Sequence, residues 1–449
     1  MWRLRPGFLT LVAAFAVSRA AAMQLDASFR GGVSIINQPT AAAGVALQSD
    51  GKVLVLAPTP SASPQPGILL VRLTRGGEID ESFGVAGIVE LFEPGTNLFP
   101  LAIAIDSSDR ILVAGGQART SADPIGNSFF AARFLPDGLL DQAFGAAGVA
   151  IVDFAGLSSG AGGIALQADG RILLGGAAST PSGSGDFAAV RLLDDGALDP
   201  SFGTGGRVLL DLGTGFGEGA SSVVVRPDGR IVLGGRTDPG TGGYALALAG
   251  LLPDGSADAG FGSGGKTVIP VGFSLECRAL GLQQDGRIVA AGPLFPMGSA
   301  IVRVGTNGSL DASFGSGGIV TVSFLSAAAL AFDGTGRIAV AGTGDSATMA
   351  LARLLPNGSL DPSLGPAGYV HVLGGAPPQP ATAGANAIAI QPDGRILLAG
   401  FQELVVVELL TVVRFVDPLT PVPALSDAGL VVLALSLAAG GWFALRRIA

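Results

Sequence analysis

One short motif occurs seven times along this chain, at intervals of 50 to 61 residues. Most copies read Leu-Asp-x-Ser-Phe-Gly, and the aspartates of the seven copies are Asp26, Asp80, Asp141, Asp199, Asp258, Asp311 and Asp361. A repeated unit of this size buries its apolar surface mainly against the units before and after it. The motif therefore predicts an array of similar units rather than one irregular core.

Two further signatures recur with the same count. The first is a basic residue between a polar turn and an apolar segment, found at Lys52, Arg110, Arg171, Arg230, Arg287, Arg337 and Arg395. The second is an arginine inside an apolar segment, found at Arg72, Arg133, Arg191, Arg303, Arg353 and Arg414, with Gly250 in the corresponding position of one repeat. Three independent signatures, each with seven positions along the chain, indicate seven repeats.

Each repeat contains four short apolar or alternating segments. One of them reads Gly87–Phe92, Leu101–Ile105, Arg110–Ala114 and Phe129–Leu135, separated by turn residues. Four short strands per repeat are typical of a propeller blade. The sequence therefore predicts an all-β fold, a seven-bladed β-propeller of four-stranded repeats, over residues 23–416.

The whole pattern resembles the delta-60 repeat family of bacterial β-propellers, and the resemblance covers residues 25–416. That family is known mainly by its architecture. The resemblance therefore implies the propeller and adds little about activity.

Composition excludes several classes of protein. A hydrophobic content of 48% with 14% charged residues is too apolar for a disordered chain. Glycine clusters such as Gly115-Gly116, Gly205-Gly206 and Gly264-Gly265 are expected in turns. The net charge of −9 and only two lysines leave no basic stripe, so nucleic acid is not an expected partner. A single cysteine, Cys277, allows no internal disulfide.

The N-terminal residues 1–22 have the order of a signal peptide. Arg3 and Arg5 precede the apolar run Gly7–Val17, and the small residues Ala20-Ala21-Ala22 follow. Cleavage after Ala20 or Ala22 fits this pattern. The alternative is an uncleaved anchor, but an apolar run of eleven residues is short for a membrane span.

The C-terminal residues 428–449 are predicted to form one transmembrane helix with a basic end. Ala428–Leu445 is a run of eighteen residues without a charge, about 27 Å long as a helix. Arg446 and Arg447 follow it and, by the positive-inside rule, remain cytoplasmic. This topology places the repeats outside the cytoplasm, as a signal peptide also requires.

Residues 417–427 are predicted to be a linker with a sorting motif. The motif residues are Val422, Pro423, Ala424, Leu425 and Ser426. The short proline motif, the apolar helix and the terminal arginines together resemble the IPTL-CTERM family of bacterial sorting tails, despite Ala428 where tryptophan is common. The resemblance implies a protein of the bacterial cell envelope and an exosortase-like processing enzyme as a partner. The alternative is a tail that simply remains as a membrane anchor.

A constant spacing of eight residues separates the strand arginine from the next signature aspartate in five repeats. These predicted pairs are Arg72 and Asp80, Arg133 and Asp141, Arg191 and Asp199, Arg303 and Asp311, and Arg353 and Asp361. We interpret them as structural ion pairs within each repeat. The alternative is a ring of carboxylates for metal or substrate. Calcium is a related alternative, because Asp137 and Asp141 flank a glycine turn, although no Asp-x-Asp-x-Asp-Gly loop is present.

Residues with nucleophilic chemistry are few. Gly156-Leu157-Ser158-Ser159-Gly160 matches the nucleophile-elbow pattern, but that pattern requires a helix after the serine and none is expected. His371 is the only histidine, and Cys277 has no other base available to it. One histidine and one cysteine do not make a zinc site. The sequence therefore predicts no catalytic residue, no metal site and no cofactor.

Loop lengths indicate a working face. From the signature aspartate to the next basic residue the spacing varies from 26 to 34, and from there to the strand-arginine position it varies from 16 to 23. In an up-and-down blade both variable connections leave from the same face, and loops on a fixed scaffold carry recognition. The longest segments are Gln117–Ser128, Ala177–Asp186 and Gly374–Ala385.

These features predict a non-enzymatic binding or scaffold module with a protein or glycan ligand, held at the membrane by its C-terminal helix. The alternative is an extracytoplasmic propeller enzyme, a lyase or glycoside hydrolase, with Asp and Arg at the central channel. A glycoside hydrolase would need two carboxylates at catalytic separation on non-equivalent blades.

Overall fold

The computed structural model shows the predicted propeller of seven antiparallel sheets. It describes residues 23–416 apart from 120–126, 180–184, 214–216, 241, 273, 297, 346, 366, 373–381 and 405–406. The chain begins with β1 (Gln24–Leu25), one 3₁₀ turn (Arg30–Gly32) and β2 (Val33–Ile36). Six blades and most of the seventh follow.

Blades 1 to 4 each consist of four strands in chain order. Blade 1 is β3 (Gly44–Leu47), β4 (Val53–Pro58), β5 (Ile68–Leu73) and β6 (Ile88–Leu91). Blade 2 is β7 (Thr96–Ile105), β8 (Ile111–Arg119), β9 (Ser128–Phe134) and β10 (Val149–Val152). Blade 3 is β11 (Ser158–Leu166), β12 (Ile172–Ser179), β13 (Gly185–Leu192) and β14 (Arg207–Leu210). Blade 4 is β15 (Gly219–Val225), β16 (Ile231–Thr237), β17 (Ala245–Leu251) and β18 (Lys266–Ile269).

Blades 5 to 7 vary this plan. In blade 5 the first strand is split, so the blade is β19 (Ser274–Leu275), β20 (Ala279–Leu282), β21 (Ile288–Phe295), β22 (Ser299–Val304) and β23 (Ile319–Val322). Blade 6 is β24 (Leu325–Phe332), β25 (Ile338–Gly344), β26 (Thr348–Leu354) and β27 (Tyr369–Val372). Blade 7 has β28 (Ala383–Ile390), β29 (Ile396–Leu404) and β30 (Val407–Val416), and borrows its fourth strand from the N-terminus.

The core lies between the blades. The second and third strands of each blade are apolar runs that are buried on both faces; all residues of Ile68–Leu73 are buried, for example. Each apolar cluster joins two neighbouring blades, as Leu112 and Phe129 of blade 2 join Ile172 and Val190 of blade 3. No blade has a closed core of its own, which is the property that the repeat period predicted.

A bulge in the first strand explains a glycine that recurs in the second strand. The ladder between β7 and β8 skips Leu101, which presses the carbonyl oxygen of Phe99 against Gly115. A Cβ atom on Gly115 would overlap that oxygen. Gly115 and Gly116 therefore lie in a strand, and the expectation that they form a turn was wrong, whereas Gly205-Gly206 lies in a turn as expected.

The strand that follows each signature motif completes the preceding blade. The segment Gly87–Phe92 contributes β6, which pairs with β5 as the fourth strand of blade 1. The segment Leu101–Ile105 lies in β7, the first strand of blade 2. The strand assignment within each repeat is thus shifted by one strand relative to the sequence-based assignment, because pairing partners were not visible from spacing alone.

The ring is closed by the N-terminal residues. Strand β2 pairs antiparallel with β30 from Val33 opposite Val413 to Ile36 opposite Leu410, and β1 pairs with the end of the same strand. Met23 is buried, and its backbone N–H donates to the carbonyl oxygen of Leu364 in blade 6. The two ends of the described chain therefore meet in blade 7.

The propeller has two faces of different character. In every blade five residues connect the first strand to the second, and in blades 1 to 6 fourteen residues connect the third strand to the fourth. These connections form what we call the constant face. The connections on the opposite face, here the variable face, range from two to nine residues between second and third strands and from two to ten between blades.

Neither predicted terminal segment falls within the described residues. The signal peptide, residues 1–22, and the transmembrane helix, residues 428–449, both lie outside them, as does the sorting motif. Within residues 23–416, where described, no helix is both long and apolar enough to cross a membrane.

Candidate functional site

The three repeat signatures meet in one polar network on the constant face. In blade 1 the Arg72 guanidinium donates from Nε to Oδ2 of Asp80 at 2.8 Å and from Nη2 to the hydroxyl of Ser82 at 3.1 Å. Its carbon lies 4.6 Å from the ring centroid of Phe83. Nη1 donates to the carbonyl oxygen of Pro136 in blade 2. Arginine, aspartate, serine and phenylalanine of the signatures therefore form one contact set, which here also joins blade 1 to blade 2.

The five pairs predicted from the spacing of eight are all brought together. Their Nε to Oδ2 distances are 2.7 to 2.8 Å, in Arg72–Asp80, Arg133–Asp141, Arg191–Asp199, Arg303–Asp311 and Arg353–Asp361. Nine of the ten residues are buried, and Asp311 is partly exposed. Because each arginine fills its donors with local partners, the pairs do not form an open ring of carboxylates at the channel.

The basic residue of the second signature joins the same aspartate. Lys52 Nζ lies 3.2 Å from Oδ2 of Asp80. The equivalent contacts are Arg171–Asp199, Arg230–Asp258, Arg287–Asp311, Arg337–Asp361 and Arg395–Asp26. Burial alone would raise the pKa of Asp80, but hydrogen bonds from Ser82 and Lys52 and the charge of Arg72 outweigh it and lower the pKa to about 2. The carboxylate is therefore held in its charged form.

Three blades depart from this network. In blade 2, Arg110 pairs with Asp106 and Asp194 rather than with Asp141. In blade 4 the arginine is replaced by Gly250, and the ring of Phe261 packs where a side chain on Gly250 would stand. In blade 7 the partner of Arg414 is Asp26 from the other end of the chain, at 2.8 Å. No aspartate lies eight residues after Arg414, so this sixth pair was not predicted from the sequence. The pair forms because the N-terminal residues supply the fourth strand of blade 7.

The residues considered for nucleophilic chemistry do not assemble. Ser158 begins the strand β11, so the nucleophile-elbow pattern lacks its helix. Burial raises the pKa of the Cys277 thiol to about 12, which keeps it protonated at neutral pH. His371 contacts Thr348 at 2.6 Å and Asp345 at 3.4 Å in blade 6.

Three carboxylates come together on the variable face. Ligand atoms of Asp186, Asp211 and Glu218 all lie within 4.8 Å of one another. Burial, followed by the charges of the other two groups, raises the pKa of Asp186. Glu218 accepts a hydrogen bond from the backbone N–H of Leu212 at 2.7 Å. Such a group has the composition of a cation site, and spacing along the sequence did not reveal it.

Beside these carboxylates a cleft of about 470 Å³ opens between blades 3, 4 and 5. Its charged residues are Arg236, Glu276 and Arg278, together with the buried Glu218. Nη1 of Arg236 donates to Oε1 of Glu276 at 2.6 Å, and Nε of Arg278 lies 3.9 Å from Oε2. Arg236 also lies over the ring of Tyr244, at 4.3 Å from its centroid. Two guanidinium groups thus share one carboxylate at the cleft.

The charges in this cleft break the sevenfold repetition. At the position of Arg236, one residue after the buried glycine of the second strand, the other blades carry Pro58, Gly116, Ala177, Pro293, Thr343 and Phe401. Arg278 takes the bulge position, where the neighbouring blade 4 has Ser221. Pro293 lacks the N–H that would continue the ladder, which accounts for the break between β19 and β20 that carries Glu276 and Arg278.

Comparison with known families identifies the repeats. The family model described as a β-propeller domain of unknown function, DUF5122, matches residues 48–83, 167–202, 226–261, 283–314 and 334–364. This family model describes repeats of the delta-60 type. An IPTL-CTERM motif matches residues 420–447. Both resemblances seen in the sequence are confirmed, and the sorting motif points to an exported protein associated with the bacterial cell envelope.

Solved structures match the chain at low identity and with TM-scores below 0.5. A protein of unknown function from Dyadobacter fermentans is 13% identical, with a TM-score of 0.45, over 86% of this chain and 97% of its own. A glucose dehydrogenase is 14% identical (TM-score 0.39; 85% and 99% covered). The α-L-arabinofuranosidase Arb93A of Fusarium graminearum is 11% identical (TM-score 0.40; 88% and 96% covered). No curated protein sequence matches the chain.

The cleft residues of this propeller were not predicted from the sequence. Residues that recur in every repeat form the scaffold, and the spacing patterns of the sequence identify only such residues. Arg236, Glu276 and Arg278 become visible only when the repeats are aligned strand by strand and the positions that differ are inspected. The signal was therefore present, but it lay in the exceptions to the repeat.

Proposed function

We propose that this protein is an envelope-anchored, non-enzymatic binding module that recognises its ligand with the variable face. The observation that carries the proposal is that the two faces carry different structural features. The Arg-Asp networks and all connections of fixed length lie on the constant face, whereas the connections of varied length and the cleft lie on the variable face. Recognition loops vary on a constant scaffold.

The position of the C-terminus supports the same assignment. Strand β30 runs from the variable to the constant face and ends at Val416, next to Asp26 and Arg414 of the network. Only residues 417–427 separate Val416 from the proposed membrane helix, and eleven extended residues span at most about 40 Å. In this arrangement the constant face is nearer to the membrane and the variable face is presented outward.

The alternative is an extracytoplasmic propeller enzyme, a lyase or glycoside hydrolase with Asp and Arg at the central channel. The Arg-Asp pairs are poor candidates for such chemistry, because they are buried in mutual contacts on the constant face. An enzyme of this kind would have to use the carboxylates of the variable face, such as Glu276 or the group around Asp186.

One experiment separates the two functions. The full chain and two variants are tested for retention on a panel of immobilised polysaccharides and for release of new reducing or unsaturated ends. One variant has Gln117–Ser128 replaced by a short Gly-Ser turn on the variable face, and the control carries Ser309→Gly on the constant face. We expect retention without product release, weakened only in the loop variant. Steady product release, or retention that only the control weakens, would contradict the proposal.

A further inference from the structure

We propose that the cleft between blades 3, 4 and 5 binds a carboxylate-bearing sugar of the uronic acid class. This inference rests on the proposed function and names the ligand chemistry of the same face. It starts from the two guanidinium groups: Arg236 and Arg278 share the carboxylate of Glu276 at the cleft, while the other carboxylate of the lining, Glu218, is buried.

The two guanidinium groups have hydrogen-bond donors to spare. Among the described residues, the side chain of Arg236 donates only to Glu276, through Nη1, and the side chain of Arg278 makes no hydrogen bond. Their side chains are 43% and 50% exposed. Guanidinium forks recognise planar carboxylates through paired N–H donors, which a lysine cannot reproduce. Glu276 holds the two guanidinium groups near each other. Most of their N–H donors remain free to bind a ligand.

The walls of the cleft favour a sugar over a peptide. None of the twelve described residues that line it carries a large apolar side chain. Gly185, Gly217 and Gly219 have no side chains that would fill the cleft. Ser179 and Ser221 contribute hydroxyl groups to its lining. These residues form no apolar pocket for a peptide side chain. A sugar suits them better, because it presents hydroxyl groups at the edge of its ring and small C–H surfaces on its faces. The volume of about 470 Å³ is within the range of small-ligand sites.

The guanidinium of Arg236 is also held in place before a ligand arrives. It is stacked on Tyr244 and bonded to Glu276, so its orientation is restricted from two sides. Restricting a donor in its bound orientation lowers the entropy cost of binding. Since the other six blades carry an uncharged residue at this position, the repeat itself does not require the arginine.

Isothermal titration of the full chain in neutral detergent tests the inference. The probes are trigalacturonate, its methyl ester, inorganic phosphate and a short peptide with a free C-terminal carboxylate. We expect trigalacturonate to bind at least tenfold more tightly than each of the others. We also expect Arg236→Gln and Arg278→Gln each to weaken it at least tenfold, and Arg278→Lys to restore it only in part.

The matched control is Arg287→Gln, because Arg287 is exposed to the same extent, 43%, but lies on the constant face. It should bind trigalacturonate like the unmodified chain, and all variants should keep the unmodified melting temperature within a few degrees. Equal binding of the methyl ester, tighter binding of phosphate or the peptide, or unchanged binding by both cleft variants would overturn the inference. If trigalacturonate fails while retention on another polysaccharide still depends on the Gln117–Ser128 loop, the inference falls and the proposed function remains.

Discussion

At the level of single residues, the repeat signatures are best explained as one ion-pair network that is copied around the ring. Five of its arginine-aspartate contacts could be predicted, because a constant spacing of eight on either side of a turn returns the aspartate to the strand. The sharing of that aspartate by a second basic residue could not be predicted, since two strands, β4 and β5, and their connections separate Lys52 from Asp80. A buried charge is costly when it loses its partner, so these contacts should matter for stability.

Asp199→Ala should lower the free energy of unfolding by about 1 to 3 kcal/mol, because it leaves the buried Arg191 without its carboxylate. Asp258→Ala is the matched control. Its blade has Gly250 in place of the arginine, so the substitution removes the contact with the half-exposed Arg230 and the hydrogen bond from the backbone N–H of Gly260, but leaves no buried arginine without its carboxylate. Chemical denaturation of both variants measures the difference. Equal losses for the two would show that the buried arginine does not set the cost.

Stability should also fall in acid. The pKa of Asp80 is about 2 in the folded protein and near 3.8 when unfolded, and the pKa values of Asp26, Asp199, Asp311 and Asp361 are lowered too. Lowered carboxyl pKa values stabilise the fold above the unfolded value, and this stabilisation is lost as the pH falls through the folded value. We expect the melting temperature to drop steeply between pH 4 and 2, and less steeply in Asp80→Asn. A flat profile over that interval would contradict the network's role.

At the level of strands, the sequence predicts the number of blades and of strands well, and their pairing less well. Short apolar segments between turns identify strands such as Ile111–Arg119, yet they do not show which strand lies beside which. The closing contact of β2 with β30 joins residues almost 400 positions apart, and local patterns carry no record of it. The bulge beside Phe99 was likewise hidden, because it depends on the approach of two backbones.

The bulge makes a direct prediction for neighbouring glycines in β8. Gly115→Ala should destabilise the propeller by more than about 2 kcal/mol, since the added Cβ overlaps the carbonyl oxygen of Phe99. Gly116→Ala should cost much less, because the nearest atom to its added Cβ is 4.0 Å away, at Gly160. Thermal unfolding of the two variants compares them. A larger loss for Gly116→Ala would refute the explanation of the recurring glycine.

Ring closure makes a second prediction at this level. Deleting Val33–Ile36 should expose the edge of β30 and convert a single cooperative unfolding transition into a broader one, with self-association through the free edge. Scanning calorimetry and light scattering measure the two effects. Substituting Ser34 and Ile35 without deletion keeps the backbone pairing and serves as the control. A deletion variant that stays monomeric and unfolds as sharply as the unmodified chain would show that the ring closes without this strand.

At the level of the whole molecule, the account gives the two faces different tasks. The constant face carries the networks and the exit of the chain at Val416, and the variable face carries the cleft and the connections of varied length. The sequence predicted this grouping, since alternate connections of an up-and-down blade must share a face. It did not predict the cleft, whose residues are exceptions to the repeat.

The orientation of the faces at a membrane tests this account most directly. Ser309→Cys on the constant face and Ser323→Cys on the variable face are matched, exposed serine positions, and the buried Cys277 should contribute little background labelling. Each variant of the full chain is labelled with a fluorophore and inserted into vesicles that contain lipids with a nitroxide quencher in the headgroup. We predict markedly stronger quenching for the label at position 309. Stronger quenching at position 323 would place the variable face against the membrane and contradict the account.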